Sequence, residues 1–156
     1  MALGAVAPGG VVLWDERHAP DQPRWRQERL REQQGELARR QDRFHDPPAA
    51  SIAGRQLVVV DDGIATGFTA KAALLSLRRL DPASLCLAVP VIDQQVLPDL
   101  DPLLDRLETL AVVRQLRAVG LWYERFEQLE DGDVLALLAR ASQALAARGP
   151  GGDGPG

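Results

Sequence analysis

The stretch that decides the fold is Val58–Thr69, which reads Val-Val-Val-Asp-Asp-Gly-Ile-Ala-Thr-Gly-Phe-Thr. It begins inside Arg55–Val60, whose continuous apolar end predicts a strand buried on both faces, as in a parallel sheet. Asp61–Phe68 is rich in small and polar residues and predicts a turn. Thr69–Leu80 carries apolar residues at helical spacing, so we expect a helix directly after the turn.

The turn contains the candidate ligand-binding residues. Asp61 and Asp62 follow the strand at its carboxyl end, where open α/β sheets bind ligands. Gly67 and two threonine hydroxyls, on Thr66 and Thr69, then lead into a helix, whose free N–H groups and dipole favour an anion. The carboxylates would repel that anion, so we expect them to face ribose hydroxyls or a metal. Phosphate at one end and a polyol at the other indicate a sugar phosphate.

A purely structural loop, or a different phosphate-binding motif, fits these residues less well. Thr69 could merely cap the helix and the two acids could form a turn, but adjacent acids at a strand end are costly without a ligand. The loop is not a P-loop, because only three residues separate Gly63 from Gly67 and Phe68 stands where a lysine is required. It also lacks the G-x-G-x-x-G dinucleotide fingerprint. A bacterial receiver domain has a similar acid pair near its start, whereas sixty residues precede the pair here.

The flanking sequence predicts alternating strands and helices. Three further strands are expected, at Val11–Trp14, Ser84–Val89 and Thr109–Val113. Three further helices are expected, over Arg24–Phe44, over Asp93 to about Leu107 with interruptions near Pro98 and Pro102, and from Asp131 or Asp133 to about Ala147. This order predicts an α/β domain with a mostly parallel sheet and flanking helices. We expect one domain over residues 1–148 and a disordered Gly/Pro-rich tail over 149–156.

The composition narrows the classes of partner. The 156 residues are 46% hydrophobic and 26% charged, as in ordinary globular proteins. A net charge of −4 gives no reason to expect nucleic acid or an anionic membrane as partner. Cys86 is the only cysteine, which fits a reducing compartment, and no stretch reaches the roughly 20 apolar residues of a membrane span. We therefore expect a cytoplasmic protein.

The loop resembles the signature of the type I phosphoribosyltransferases. Weaker matches to a bacterial group of that family, whose substrate is unassigned, lie at Gly4–Ala7, at Leu87–Val91 and at Ala118–Tyr123 with Phe126 and Gln128. The resemblance covers most of the chain from Leu3 to about Ala141. It implies a type I phosphoribosyltransferase-like α/β fold, and it leaves a homodimer open.

The resemblance also implies a reaction. The protein would bind phosphoribosyl diphosphate and transfer its phosphoribosyl group to a nitrogenous acceptor, releasing pyrophosphate, as an enzyme of nucleotide metabolism. Asp61 and Asp62 would be the catalytic carboxylates, which hold the ribose 2- and 3-hydroxyls and stabilise positive charge developing on the ribose. Mg²⁺ would arrive on the substrate diphosphate, without metal ligands from the protein.

The substrate-binding residues implied by the resemblance wrap the 5-phosphate. They are Ala65, Thr66, Gly67, Phe68 and Thr69, which supply backbone amides and, from the two threonines, hydroxyls. Lys71, the only lysine, lies two residues into the helix and either reaches a phosphate or stays in solvent.

The sequence departs from the family pattern in two places. Ala65 stands where purine-salvage members carry an aspartate that acts as a base, which argues against a purine acceptor. The family's earlier strand and its pyrophosphate-gripping loop have no counterpart in these residues, so we expect a partial version of the fold. Two alternatives to an active enzyme follow: a non-catalytic module that binds a ribose phosphate or nucleotide, and a truncated product that folds poorly.

One aromatic cluster stands out in a chain with only 4% aromatic residues. Trp122, Tyr123 and Phe126 could stack on a base or cover the sheet edge, and packing in the core is the favoured expectation.

Overall fold

A computed structural model of the protein describes residues 3–45 and 48–147. The chain opens with an antiparallel hairpin of strands β1 (Gly4–Ala7) and β2 (Val11–Trp14). Gly9 and Gly10 close its turn, both with φ of 74°, a conformation that favours glycine. The sequence predicted β2 correctly but missed β1, because its small residues carry little strand propensity.

Helix α1 (Pro23–Phe44) follows the hairpin and confirms the long charged helix that the sequence predicted. None of its side chains is fully buried. Leu30, Leu37 and Phe44, which lie seven residues apart, are half-buried. A narrow stripe of this kind is typical of a surface helix that touches the rest of the protein along one line.

The central sheet confirms the predicted α/β class. Strands β3 (Gln56–Val60), β4 (Ser84–Asp93) and β5 (Arg106–Val113) are parallel and pair in the order β3-β4-β5. Strand β4 runs past Pro90, where the sequence predicted an end. Pro90 lies between the positions that pair with β5, Val89 with Thr109 and Val91 with Ala111, so its missing N–H interrupts the ladder at one point only.

Helix α2 (Phe68–Arg78) covers one face of this sheet. Its Leu74 packs in a core with Leu85, Leu87 and Ile92, all of them fully buried. The opposite side of α2 contacts the hairpin through buried Ala72. Fully burying a leucine such as Leu74 contributes roughly 1.5–3 kcal/mol. Because α2 packs against the central sheet and against the hairpin, it holds the two together.

The connection from β4 to β5 is a series of short turns, where the sequence predicted one interrupted helix. It consists of a 3₁₀ turn (Gln94–Val96), helix α3 (Leu97–Leu100) and a second 3₁₀ turn (Asp101–Leu103). Pro98 and Pro102 each lie at the start of one of these turns, where a missing N–H costs nothing. Two prolines four residues apart therefore divide the segment completely.

One face of the sheet is exposed, so the prediction that strand Arg55–Val60 is buried on both faces was wrong. Val60 is 74% exposed and Leu110 is 90% exposed, and Val58 lies on the same open face. The strands follow one another across the sheet in chain order, and right-handed crossovers then place both connections on the same side. The residues of α2 and α3 accordingly share one core with β4, and the other face has no helix from these connections.

After β5 the chain forms a 3₁₀ turn (Val119–Trp122) and helix α4 (Asp131–Ala147). Helix α4 confirms the last predicted helix. The chain groups into two compact units that divide between Tyr123 and Glu124. The single domain over 1–148 stays a prediction, and the predicted tail over 149–156 lies outside the described residues.

Within residues 3–45 and 48–147, no helix combines the length and the apolar character that a membrane crossing requires.

The open sheet face can be tested through Cys86, the only thiol of the chain. Cys86 pairs with Val58 in the register and is half-buried on the open face. We expect its reaction with a disulfide reagent such as DTNB in the native protein to be within about tenfold of the rate in denaturant, because local access limits thiol reactivity. A native rate slower by about a thousandfold would mean that this face is covered in solution.

Candidate functional site

The loop between β3 and α2 is fixed to the sheet through Ile64. The Ile64 N–H donates to the Val91 carbonyl (3.0 Å), and the Ile64 carbonyl accepts from the Asp93 N–H (2.8 Å). Ile64 thus makes a parallel bridge to β4 beyond the end of β3, and its side chain is buried in the core. The residues Asp61–Gly63 bulge out of the sheet between two anchored points.

Asp61 and Asp62 occupy this bulge and are exposed. One carboxylate oxygen of Asp61 accepts the Asp62 N–H at 2.9 Å. Partial desolvation raises the pKa of the Asp61 carboxyl, and the negative charge of Asp62 raises it further, against the opposing effect of that backbone hydrogen bond. The pair therefore carries an electrostatic cost in the free protein, which a ligand with hydroxyl or cationic groups would relieve.

Gly67 begins the helix with φ of 74°. A Cβ at this position would also lie 3.2 Å from the Cβ of Val96, so glycine is favoured for its backbone angle and for its size. No side chain caps α2, and the cap position belongs to Gly67. The alternative in which Thr69 caps the helix was therefore wrong, and the first N–H groups of α2 are left for an anion.

Asp61 and the N-terminus of α2 line one cavity of about 150 Å³, and Asp62 lies beside it in the loop, outside the cavity lining. Its walls come from the loop, from the first turn of α2 and from the segment after β5: Asp61, Gly63, Ile64, Ala65, Thr66, Gly67, Thr69, Ala70 and Val119. The structure thereby brings together most of the residues that the sequence singled out. Their roles toward a ligand stay predictions.

Phe68 and Lys71 lie on a second, smaller cavity of about 50 Å³ that shares Thr66 and Gly67 with the first. The Lys71 ammonium group lies 3.2 Å from a carboxylate oxygen of Asp99. An ion pair of this kind, partly exposed, contributes little to stability. It holds the lysine at the second cavity, whose walls do not include Asp61, and a phosphate contact from Lys71 stays a prediction.

The segment after β5 covers the acid loop. A Cβ on Gly63 would lie 2.8 Å from methyl carbons of both Val119 and Val91, so these two side chains pack into the space that a larger residue at position 63 would occupy. The Tyr123 hydroxyl donates to the Asp62 carbonyl at 2.6 Å. Trp122 is 54% exposed, so the favoured expectation that it packs in the core was wrong.

Three larger depressions lie elsewhere on the same compact unit. One of about 310 Å³ lies between the hairpin and α1, with Trp14, Trp25 and Arg29 in its walls. Two lie on the open sheet face, one of about 540 Å³ beside Val58 and one of about 340 Å³ beside Leu110. The cavity of about 150 Å³ remains the stronger candidate, because there the Asp61 carboxylate meets a helix N-terminus.

Comparisons with known proteins give the family. No protein-family model matches the chain. Two relatives from strains of Mycobacterium tuberculosis, each named a putative phosphoribosyl transferase, are 38% identical over 120 residues, which is 76% of this chain. The crystal structure of TT1426 from Thermus thermophilus has 30% sequence identity and a TM-score of 0.61, over 90% of this chain and 68% of that one. The chain belongs to the phosphoribosyltransferase family.

This family member has the type I phosphoribosyltransferase-like fold that the loop predicted, with a parallel sheet and flanking helices. The chain spans 27% of the length of the two curated relatives. Its place among bacterial phosphoribosyltransferases of unassigned substrate is confirmed by those relatives.

Sequence reasoning missed several residues that shape this candidate site. Val119 and the carbonyl of Asp62 acquire their roles through long-range packing, which leaves no local pattern. Asp93 was assigned to the start of a helix. Its position directly after the apolar run of β4, at the same sheet edge as Asp61, was the available signal.

The acid pair predicts a specific pH dependence of stability. Because folding raises the pKa of Asp61 above its ordinary value of 3.8, the folded protein binds the proton more tightly, and stability falls as pH rises through this window. Asp61→Asn keeps an acceptor oxygen and removes the charge. It should raise the Tm at pH 7 by on the order of 2 °C in thermal unfolding, and the gain should vanish below pH 3.8.

Asp101→Asn supplies the control, since Asp101 is exposed and lies on the connection between β4 and β5. It should give no gain at either pH. A lower Tm for Asp61→Asn at pH 7 would contradict the electrostatic cost assigned to the acid pair.

Proposed function

We propose that the protein binds phosphoribosyl diphosphate at the Asp61–Thr69 loop and transfers its phosphoribosyl group to a nitrogenous acceptor, with release of pyrophosphate. The observation that carries the proposal is the single cavity that the Asp61 carboxylate shares with an uncapped helix N-terminus, with Asp62 next to it in the chain. Family membership supports the reaction class. A cytoplasmic location belongs to the same proposal.

The 5-phosphate would lie at the start of α2. Backbone N–H groups of Ala65–Thr69 would donate to it, and the hydroxyls of Thr66 and Thr69, which line the cavity, would add donors. The helix dipole contributes roughly 0.3–1 kcal/mol toward a bound anion. Gly67 lets the backbone approach the phosphate without a side chain in between.

The ribose would lie over Asp61 and Asp62. Each carboxylate can accept hydrogen bonds from ribose hydroxyls, which would offset the desolvation and the like charge that raise the pKa of Asp61. In the transfer, the bond from the anomeric carbon to pyrophosphate breaks, a bond to the acceptor nitrogen forms, and the acceptor loses a proton. Positive charge develops on the ribose between these events, and the two carboxylates would stabilise it.

Mg²⁺ fits this site as an ion that arrives with the substrate. Within the described residues, no group of three or more His, Cys, Asp or Glu side chains could hold a metal ion. Mg²⁺ dehydrates reluctantly and is commonly bound through substrate phosphates. It would arrive on the substrate diphosphate, where it would neutralise charge on the departing group.

Ala65 shapes the choice of acceptor. It lines the cavity and carries no group that can accept a proton. The acceptor would therefore be one whose nitrogen attacks without a base at this position, which argues against purine salvage.

A second candidate is a module that binds a ribose phosphate or nucleotide without catalysis. The described residues that line the cavity include no Lys, Arg or His, so no cationic side chain is placed there to hold a leaving pyrophosphate. Binding at the 5-phosphate and the ribose would remain, while the departing charge would rest on Mg²⁺ alone.

Calorimetric titration with phosphoribosyl diphosphate and Mg²⁺ tests the binding proposal. The wild type should show saturable binding. Replacing both acids, Asp61→Asn with Asp62→Asn, should weaken it by about a hundredfold, because hydrogen bonds to charged groups contribute roughly 1.5–3 kcal/mol each. Asp101→Asn should bind like the wild type, since it removes one negative charge outside the cavity.

Pyrophosphate release, measured with ammonia and a panel of nucleobases, then separates the enzyme from the binding module. Release that depends on an acceptor and is lost in the double variant supports transfer. Binding without release supports the module, and the absence of saturable binding by the folded wild type would sink both.

A further inference from the structure

Asp93 is a buried carboxylate that the proposed reaction does not use. It is the last residue of β4, and 6% of its surface is exposed. Its side chain accepts two backbone N–H groups from different segments. One carboxylate oxygen accepts from Gln95 (2.8 Å) and the other accepts from Leu116 (2.6 Å). A carboxylate is the only common side chain of this length with two acceptor oxygens in a fixed fork.

The hydrogen bond from Leu116 to Asp93 depends on an unusual backbone conformation in the preceding residue. Gln115 has φ of 58°, a left-handed conformation that is unfavourable for a residue with a side chain. This turn directs the chain so that the Leu116 N–H meets Asp93 and the Leu116 side chain is buried. Such conformations persist where the surrounding structure holds them, and they concentrate at functional sites.

Asp93 thereby joins the two segments that enclose the cavity. Its own N–H donates to the Ile64 carbonyl and holds the acid loop. Its side chain holds Leu116, three residues before Val119, which packs against Gly63 and lines the cavity. Both walls of the site are thus fixed by one residue at the carboxyl end of the central strand.

We propose that Asp93 is a positioning residue, which fixes the segment Leu116–Tyr123 against the acid loop and so sets the shape of the phosphoribosyl site. This inference rests on the proposed function for its effect on the ligand. The two hydrogen bonds that the Asp93 carboxylate accepts from the Gln95 and Leu116 amides are called the clamp below. The clamp is present in the free protein and can be measured without any ligand.

Two substitutions at Asp93 distinguish the loss of the clamp from a general loss of stability. Asp93→Ser keeps a side-chain oxygen that can accept from Gln95, since serine is a good residue at this capping position, but one hydroxyl cannot also reach Leu116. Asp93→Asn is similar in size but has only one acceptor oxygen, so one buried N–H faces an NH₂ group. The serine variant keeps the test available if the asparagine variant does not fold.

The matched control is Ser76→Ala. Ser76 is buried to the same extent on α2, and its hydroxyl donates to the Pro8 carbonyl at 2.7 Å. This substitution removes a buried hydrogen bond between the hairpin and α2, away from the cavity. It should lower stability while leaving Leu116 and the site unchanged.

Hydrogen exchange and amide proton shifts, read by NMR residue by residue, test the clamp. In the wild type the Leu116 amide should be strongly protected and shifted downfield by the carboxylate. In Asp93→Ser it should exchange at least about tenfold faster and move upfield, with Gln95 little changed, because one hydrogen bond to a charged group is lost. An unprotected Leu116 amide in the wild type, or one unchanged in both Asp93 variants, overturns the clamp.

Titration with phosphoribosyl diphosphate and Mg²⁺ tests the positioning role. Asp93→Ser should weaken binding by about tenfold, and Ser76→Ala by less than about twofold, because only the first substitution frees a wall of the cavity. Equal losses in both variants would show that Asp93 acts only through stability and would overturn the positioning role. If the wild type does not bind while the Leu116 amide behaves as expected, the proposed function has failed and the clamp stands.

Discussion

The site depends on the return of Ile64 to the sheet. Its two backbone hydrogen bonds to Val91 and Asp93 anchor the chain after the bulge Asp61–Gly63, and its side chain is buried in the core. The end of β3 anchors the chain before the bulge. The backbone amide and carbonyl of Ile64 are both hydrogen-bonded, so the bridge leaves no unpaired polar group of its own. The acid pair is thereby tied to the sheet at both of its ends.

The charge distribution of the site explains why it is suited to a ligand. Partial desolvation raises the pKa of Asp61, the charge of Asp62 raises it further, and the nearby start of α2 presents uncapped N–H groups. Negative charge and positive dipole are adjacent but face one cavity instead of cancelling through a cap. A sugar phosphate carries hydroxyls and an anion in the same order, so it would relieve both costs at once.

The order of the strands buries one face of the central sheet and leaves the other exposed. Strands in chain order with right-handed crossovers place the core on one face, which gives Leu74 and Leu87 complete burial. The same rule leaves Val58, Val60 and Leu110 exposed on the other face. Apolar strands are therefore not sufficient to predict burial, because burial of a sheet depends on which side its connections take.

The sequence by itself determined the parallel α/β class, most helices and the loop Asp61–Thr69, because each is encoded in a short run of neighbouring residues. Periodicity, a glycine at a helix start and adjacent acids after an apolar strand are local signals. Only the tertiary structure decided that one sheet face is open, that Lys71 meets Asp99 and that Asp93 joins two loops. Those features depend on contacts between residues far apart in the chain. Which residues meet there depends on the side that each crossover takes and on the path of each loop, and a local sequence pattern predicts neither.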